Sequence, residues 1–199
     1  MTNRERLLGV IKGENVDAKP TIAWPASESD SIVWAEVANP FGKALARGEN
    51  LSEVLRKDLG AGEKALLSTA EEVKSDITAA ISAGAQGIIY KLYGADLASN
   101  TPMEYGGHFL EVDRAILSQF DSIVRMIFVV GGADTFIDFV SDLPAEIFAW
   151  DVRGTGVNVQ AVREMRAGTL AAASEDADIL LSYPSDISSK IAIPQLANV

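Results

Sequence analysis

Apolar residues recur along this chain in two rhythms. Over residues 4–12, Leu7, Leu8 and Ile11 fall on one helical face. Thr2 stands as the N-cap with Glu5 three positions on, and Gly13 marks the stop. Pro20 then leads into a brief apolar run, residues 21–24, that predicts a first strand, and residues 25–30 read as a polar turn. Residues 31–70 are the least regular stretch. There Ile32, Val33 and Trp34 fit either a strand or a helix edge, while Leu45, Leu51, Val54, Leu55 and Leu59 keep helical spacing interrupted by Gly48, Gly60 and Gly62. Residues 69–83 predict a helix capped by Thr69, with Glu72 three positions on and Val73, Ile77, Ala80 and Ile81 along one side.

Beyond that point continuous apolar runs alternate with amphipathic ones. Strands are predicted at 87–92, 125–130, 147–150 and 169–173. Helices are predicted at 110–119, at 135–141 with Phe136, Phe139 and Val140 facing in, and at 157–166. Residues 179–181 fit a short strand or a buried turn, and residues 185–199 read as an extended tail. Uninterrupted apolar strands separated by helices imply parallel strands covered on both faces, so the fold class is α/β. The pattern yields five or six strands, fewer than the eight of a closed barrel.

With 199 residues, 48% of them hydrophobic, the chain is read as one domain, 1–199. A formal charge of −11 disfavours nucleic acid, anionic membrane surfaces and polyanionic ligands. There is no cysteine, which excludes disulfides, and no apolar run approaches a membrane span. The expectation is a soluble cytoplasmic protein with no membrane or nucleic-acid partner.

Particular segments carry a family resemblance. The opening TNRERLLGVIKGENVDAKP, with Arg4, Glu5, Arg6, Gly13, Asp17 and Pro20, resembles the entrance of the uroporphyrinogen decarboxylase superfamily. AISAGAQGIIYKLYGAD (80–96) resembles that family's fifth strand and VRMIFVVGG (124–132) its sixth. PAEIFAWDV (144–152) resembles its seventh, and AGTLAAAS (167–174) the strand after it. The resemblance covers residues 2–25 and 70–175, and residues 31–68 stand where the family has further barrel units. It implies a truncated (β/α) TIM-barrel-like domain, internally shortened. A barrel so shortened leaves open strand edges, from which a homodimer is expected.

The resemblance implies carboxy-lyase (decarboxylase) activity, or relation to the corrinoid methyltransferase branch, but the residues depart from both patterns. After the first strand the family's arginine pair, suited to bidentate carboxylate binding, is replaced by TIAWPASESDS, with no arginine. The methyltransferase branch holds zinc with His and Cys. Here Phe128 and Val130 stand near those positions, and the one histidine, His108, lies in an EYGGH loop. No metal site and no cofactor are therefore expected.

Barrel-type sites collect at the C-terminal ends of strands, which selects Lys91, Tyr93 and Asp151 as candidate catalytic residues. Trp24, Asp96, Asp134, Trp150 and Arg153 are candidates for ligand binding. Lys91 in an apolar run needs a partner. Asp151 would make it an acid–base pair, the alternative being a structural pair or a solvent-facing edge position. Asp151 could instead cap the next turn, and Trp24 and Trp150 could wall an aromatic pocket or pack the core. Three functions stay open: an enzyme of altered decarboxylase chemistry acting on a small ligand, a corrinoid- or tetrapyrrole-binding module, and a non-catalytic subunit paired with a full-length relative.

Overall fold

The computed structural model describes residues 1–23 and 32–182. The expected turn at 25–30, Trp24 and the expected tail at 185–199 lie outside the described residues. In chain order the elements are α1 (Asn3–Ile11), β1 (Thr21–Ala23), β2 (Trp34–Ala38), α2 (Pro40–Ala46), α3 (Leu51–Lys57), α4 (Leu59–Ser82) and β3 (Gly87–Leu92). There follow α5 (Pro102–Glu104), a π-helical turn (Tyr105–Phe109), α6 (Leu110–Gln119), β4 (Val124–Val129), α7 (Ile137–Val140), β5 (Ile147–Trp150), α8 (Val152–Thr155), α9 (Val159–Met165), β6 (Thr169–Ala172) and β7 (Ile179–Ser182).

The seven strands form one sheet in the order β1-β7-β6-β5-β4-β3-β2, and every neighbouring pair is parallel. Read as a ring, this is plain sequence order opened between β1 and β2, the order of a (β/α) barrel that has not closed. The fold is α/β, a curled parallel sheet with flanking helices and a truncated-barrel plan. The described strands number seven rather than five or six. The irregular stretch after residue 31 supplies β2, and Ile179–Ser182 pairs with both β6 and β1.

Local chemistry explains most boundaries. Thr2 and Glu5 close a capping box on α1, as the spacing predicts. The helix expected from Thr69 begins ten residues earlier, because Asp58 caps it by accepting from the Ala61 N–H. Thr69 is mid-helix and turns its hydroxyl onto the Ala65 carbonyl. The helix expected at 135–141 shrinks to Ile137–Val140, where Val140 is buried while Phe139 is exposed. The helix expected at 157–166 is α9, capped by Asn158, and a separate short helix, α8, capped by Asp151, precedes it.

α1 runs across the N-terminal ends of the strands. The Asn3 amide takes both backbone groups of Thr21, donating to its carbonyl (2.8 Å) and accepting from its N–H (2.9 Å). This caps one residue of the edge strand β1. Arg4 Nη1 reaches Gln86 Oε1 (2.7 Å) at the start of β3. Leu7 is fully buried and belongs to the main core. At the opposite end, α2 starts on Pro40 behind its cap Asn39 and presses Gly42 against the ring of Tyr93. A Cβ at Gly42 would sit 2.3 Å from Tyr93 Cδ2, so only glycine permits this approach.

Two substitutions test these contacts. Leu7→Ala should lower the unfolding free energy by about 2–5 kcal/mol in urea denaturation, the range for emptying a buried leucine site. Gly42→Ala should cost about 1–3 kcal/mol by overpacking, and tyrosine-ring NMR signals should show Tyr93 displaced.

Candidate functional site at the C-terminal strand ends

Register decides which side chains share a face. Ala38 pairs with Lys91, Lys91 with Phe128, Phe128 with Ala149, Ala149 with Ala171 and Ala171 with Ile179. These six residues form one transverse row on the concave side of the sheet. The alternate residues Tyr90, Ile127 and Phe148 form a row on the helix-covered side. Three of the six are alanines, which leaves Lys91, Phe128 and Ile179 as the larger side chains of the row.

Lys91 is 7% exposed. Its Nζ lies 3.3 Å from Glu36 Oε2, a carboxylate on β2 that shares the concave face. The partner of Lys91 is therefore Glu36 and not Asp151. This pairing follows from register: β2 is hydrogen-bonded to β3, whereas β4 separates β3 from β5. Tyr93 is also buried, and burial together with the Glu36 charge raises its phenol well above the ordinary tyrosine value. Glu36, Lys91 and Tyr93 thus form one polar group where β2 and β3 end.

Asp151 is buried at the end of β5 and caps α8, its Oδ1 accepting from the Arg153 N–H (3.1 Å). Arg153 itself is exposed at the rim. Asp96 is half-buried, and its two oxygens accept from the Ser99 N–H and hydroxyl. Burial raises its carboxyl and the neighbouring Asp134 adds to the rise, while the Ser99 bonds oppose it. Asp134 is exposed and accepts from the Ala98 N–H (3.2 Å). An isolated antiparallel bridge between Asp96 and Thr135 ties the loops after β3 and β4 together.

Trp150 belongs to the helix-covered side. It is fully buried, with its indole N–H donated to the Val157 carbonyl (2.8 Å) and its ring 6.0 Å from Phe148. It packs the core on that side of the sheet. His108 is half-buried in the π-helical turn, edge-on to Phe109, and lines a cleft of about 60 Å³ with Ser52, Arg56, Asn100 and Glu104. Among the described residues no group of three or more His, Cys, Asp or Glu side chains could hold a metal ion.

Sequence reasoning missed three residues. Glu36 lay in the stretch where strand and helix could not be told apart. Asn39, fully buried, is the hub where β2 ends. Its Oδ1 accepts from the Gly42 N–H (3.0 Å) and the Tyr93 N–H (3.1 Å), and its Nδ2 donates to the Tyr93 carbonyl (3.1 Å). Asp113 is 1% exposed on α6, where Tyr90 Oη (2.6 Å) and Tyr105 Oη (2.5 Å) donate to its two oxygens and Asn39 Nδ2 approaches at 3.4 Å. A signal for Asp113 was present. It shares the helical stripe of Phe109, Ile116 and Leu117, all buried, so a carboxylate there must find donors.

Among the described residues no helix is long and apolar enough to cross a membrane. No protein-family profile matches the chain, and no curated protein matches it. Among solved structures it is similar to a methyltransferase from Methanosarcina mazei, with a TM-score of 0.62 at 16% identity. The match takes in 71% of this chain and 42% of that protein, so the chain spans less than half of its neighbour's length. At this identity the likeness concerns the fold: the chain shares a truncated version of a barrel that a methyltransferase uses.

Proposed function

We propose that the chain is a small-ligand-binding protein related to barrel methyltransferases. In this reading the ligand sits at the C-terminal strand ends, against the Glu36–Lys91 pair, Tyr93 and Asp151. The observation that carries the reading is a lysine–glutamate pair sunk into the concave face where barrel folds place their sites. A buried ion pair gives little net stability relative to apolar side chains of the same shape. Its place at the ligand end of the sheet is better accounted for by recognition. The ammonium offers donors to an anionic or carbonyl group, and the carboxylate offers an acceptor or a base.

The charge balance bears on the ligand. Glu36, Asp96, Asp134 and Asp151 stand at or beside these strand ends against Lys91 and Arg153. A porphyrinogen bearing many carboxylates would meet like charge, so decarboxylase descent is proposed as ancestry, with altered or lost chemistry. A corrinoid or other flat tetrapyrrole presenting mostly neutral amide edges suits the balance better, and the methyltransferase neighbour supports that alternative. The expected homodimer belongs to the same proposal, as does pairing with a full-length relative.

Native mass spectrometry of freshly purified protein reads assembly and retained ligand together, and a visible-absorbance titration with hydroxocobalamin tests the corrinoid reading. A retained mass or an absorbance shift should appear in the wild type. Lys91→Met should weaken that binding by about ten- to a hundredfold, the range for one charge-assisted hydrogen bond. Absence of both signals would reject the corrinoid reading. Glu36→Gln should destabilise the fold by about 3 kcal/mol in urea, because it strands a buried ammonium. Lys91→Met should cost less, since the Glu36 side chain keeps 31% of its exposure.

A further inference from the structure

Two layers of the molecule meet at Asn39. On the concave side it holds the Tyr93 peptide by two hydrogen bonds and the first turn of α2 by a third, and on the helical side its remaining Nδ2 proton points to Asp113. We infer that Asp113 is a positioning residue for the strand-end site. Through Asn39 it sets the placement of the Tyr93 peptide and the start of α2, and a change of charge on Asp113 is transmitted there. The inference rests on the proposed ligand site only for the purpose that it gives Tyr93.

The mechanism is hydrogen-bond accounting. The ionised carboxylate accepts from Tyr90 on Oδ1 and from Tyr105 and Asn39 on Oδ2, which leaves one lone pair open, on Oδ1. A proton on the open lone pair of Oδ1 removes the charge that strengthens all three bonds, so each of them weakens. The contact with Asn39 is the longest, at 3.4 Å, and is the first to be released. Asn39 keeps its bonds to Tyr93 and Gly42, and their geometry adjusts as the pull from Asp113 is lost.

Asp113 is able to change charge near neutral pH. Burial pushes its carboxyl up to about 6, against the opposing pull of the bonds from Tyr105, Tyr90 and Asn39. The folded value lies above the ordinary carboxyl value. The carboxyl therefore supports folding most at pH below about 4, and that support is lost as pH rises through about 6. Other charged or titratable groups nearby have their own partners or lie further off. Arg114, next on α6, turns to Glu111 and Asp142. From α2 and α4, Lys43 pairs with Asp76. Asp96 lies beyond Tyr105 and is held by Ser99. His108, in the same π-helical turn as Tyr105, packs on Phe109.

Amide NMR of ¹⁵N-labelled protein tests the inference without any ligand. The Tyr93 and Gly42 amide shifts should titrate together with one midpoint near pH 6. That midpoint should move to higher pH in Tyr105→Phe, which removes a donor that stabilises the carboxylate. It should vanish in Asp113→Asn and persist in His108→Asn. Flat Tyr93 and Gly42 shifts, a titration that survives in Asp113→Asn, or one that disappears with His108 would overturn the inference. If Asp113→Asn fails to fold, the Tyr105→Phe shift decides alone: an unmoved midpoint sinks it. A failed hydroxocobalamin titration leaves this test untouched, so the two proposals fail separately.

Discussion

Every strand runs parallel to its neighbours, and the consequences of that constraint run through the whole molecule. A parallel strand can be re-entered only from its starting end, so each connection must travel back across the sheet. Where the connection is a helix it covers one face, and where a strand stops its C-terminal end is left among loops of the same kind. Lys91, Tyr93, Asp96, Asp134 and Asp151 therefore gather at one end of the sheet, although they are spread over sixty residues of sequence. α1 occupies the other end and ties β1 to the start of β3 through Asn3 and Arg4.

The same geometry governs the charges. A central strand buried on both faces has no room for an unpaired ammonium, so Lys91 can be kept only if an acid reaches it from an adjacent strand. Register puts Glu36 there and keeps Asp151 away. Asp113 obeys the same rule on the helical side, where two tyrosine hydroxyls and an amide stand in for water. Half-buried Glu36 and fully buried Asp113 lie on opposite faces of β3, and Asn39 joins their surroundings at the point where β2 ends.

The likeness to a methyltransferase concerns this frame and not its contents. The strand order is that of a barrel opened between β1 and β2, while the polar groups at the strand ends are a lysine, a tyrosine and carboxylates. Chemistry at such a site has to come from those groups or from whatever they bind. Function on barrel frames resides in the strand-end loops, which vary independently of the sheet.

Periodicity by itself determined the buried strands β3 to β6, the amphipathic α6 and the capping box of α1. Each is specified by contacts within a dozen residues: continuous Val, Ile, Leu and Phe runs, a helical stripe, or Thr2 set three positions before Glu5. It also marked Lys91 as a charge in need of a partner. Tertiary structure alone decided that the partner is Glu36, because strand register is a long-range property that no local pattern encodes. It likewise decided that Trp150 faces the helices, that β2 and β7 are strands, and that Asn39 and Asp113 connect the two layers. Those roles depend on which segments meet across the sheet, and in a parallel fold those meetings are separated by whole helices.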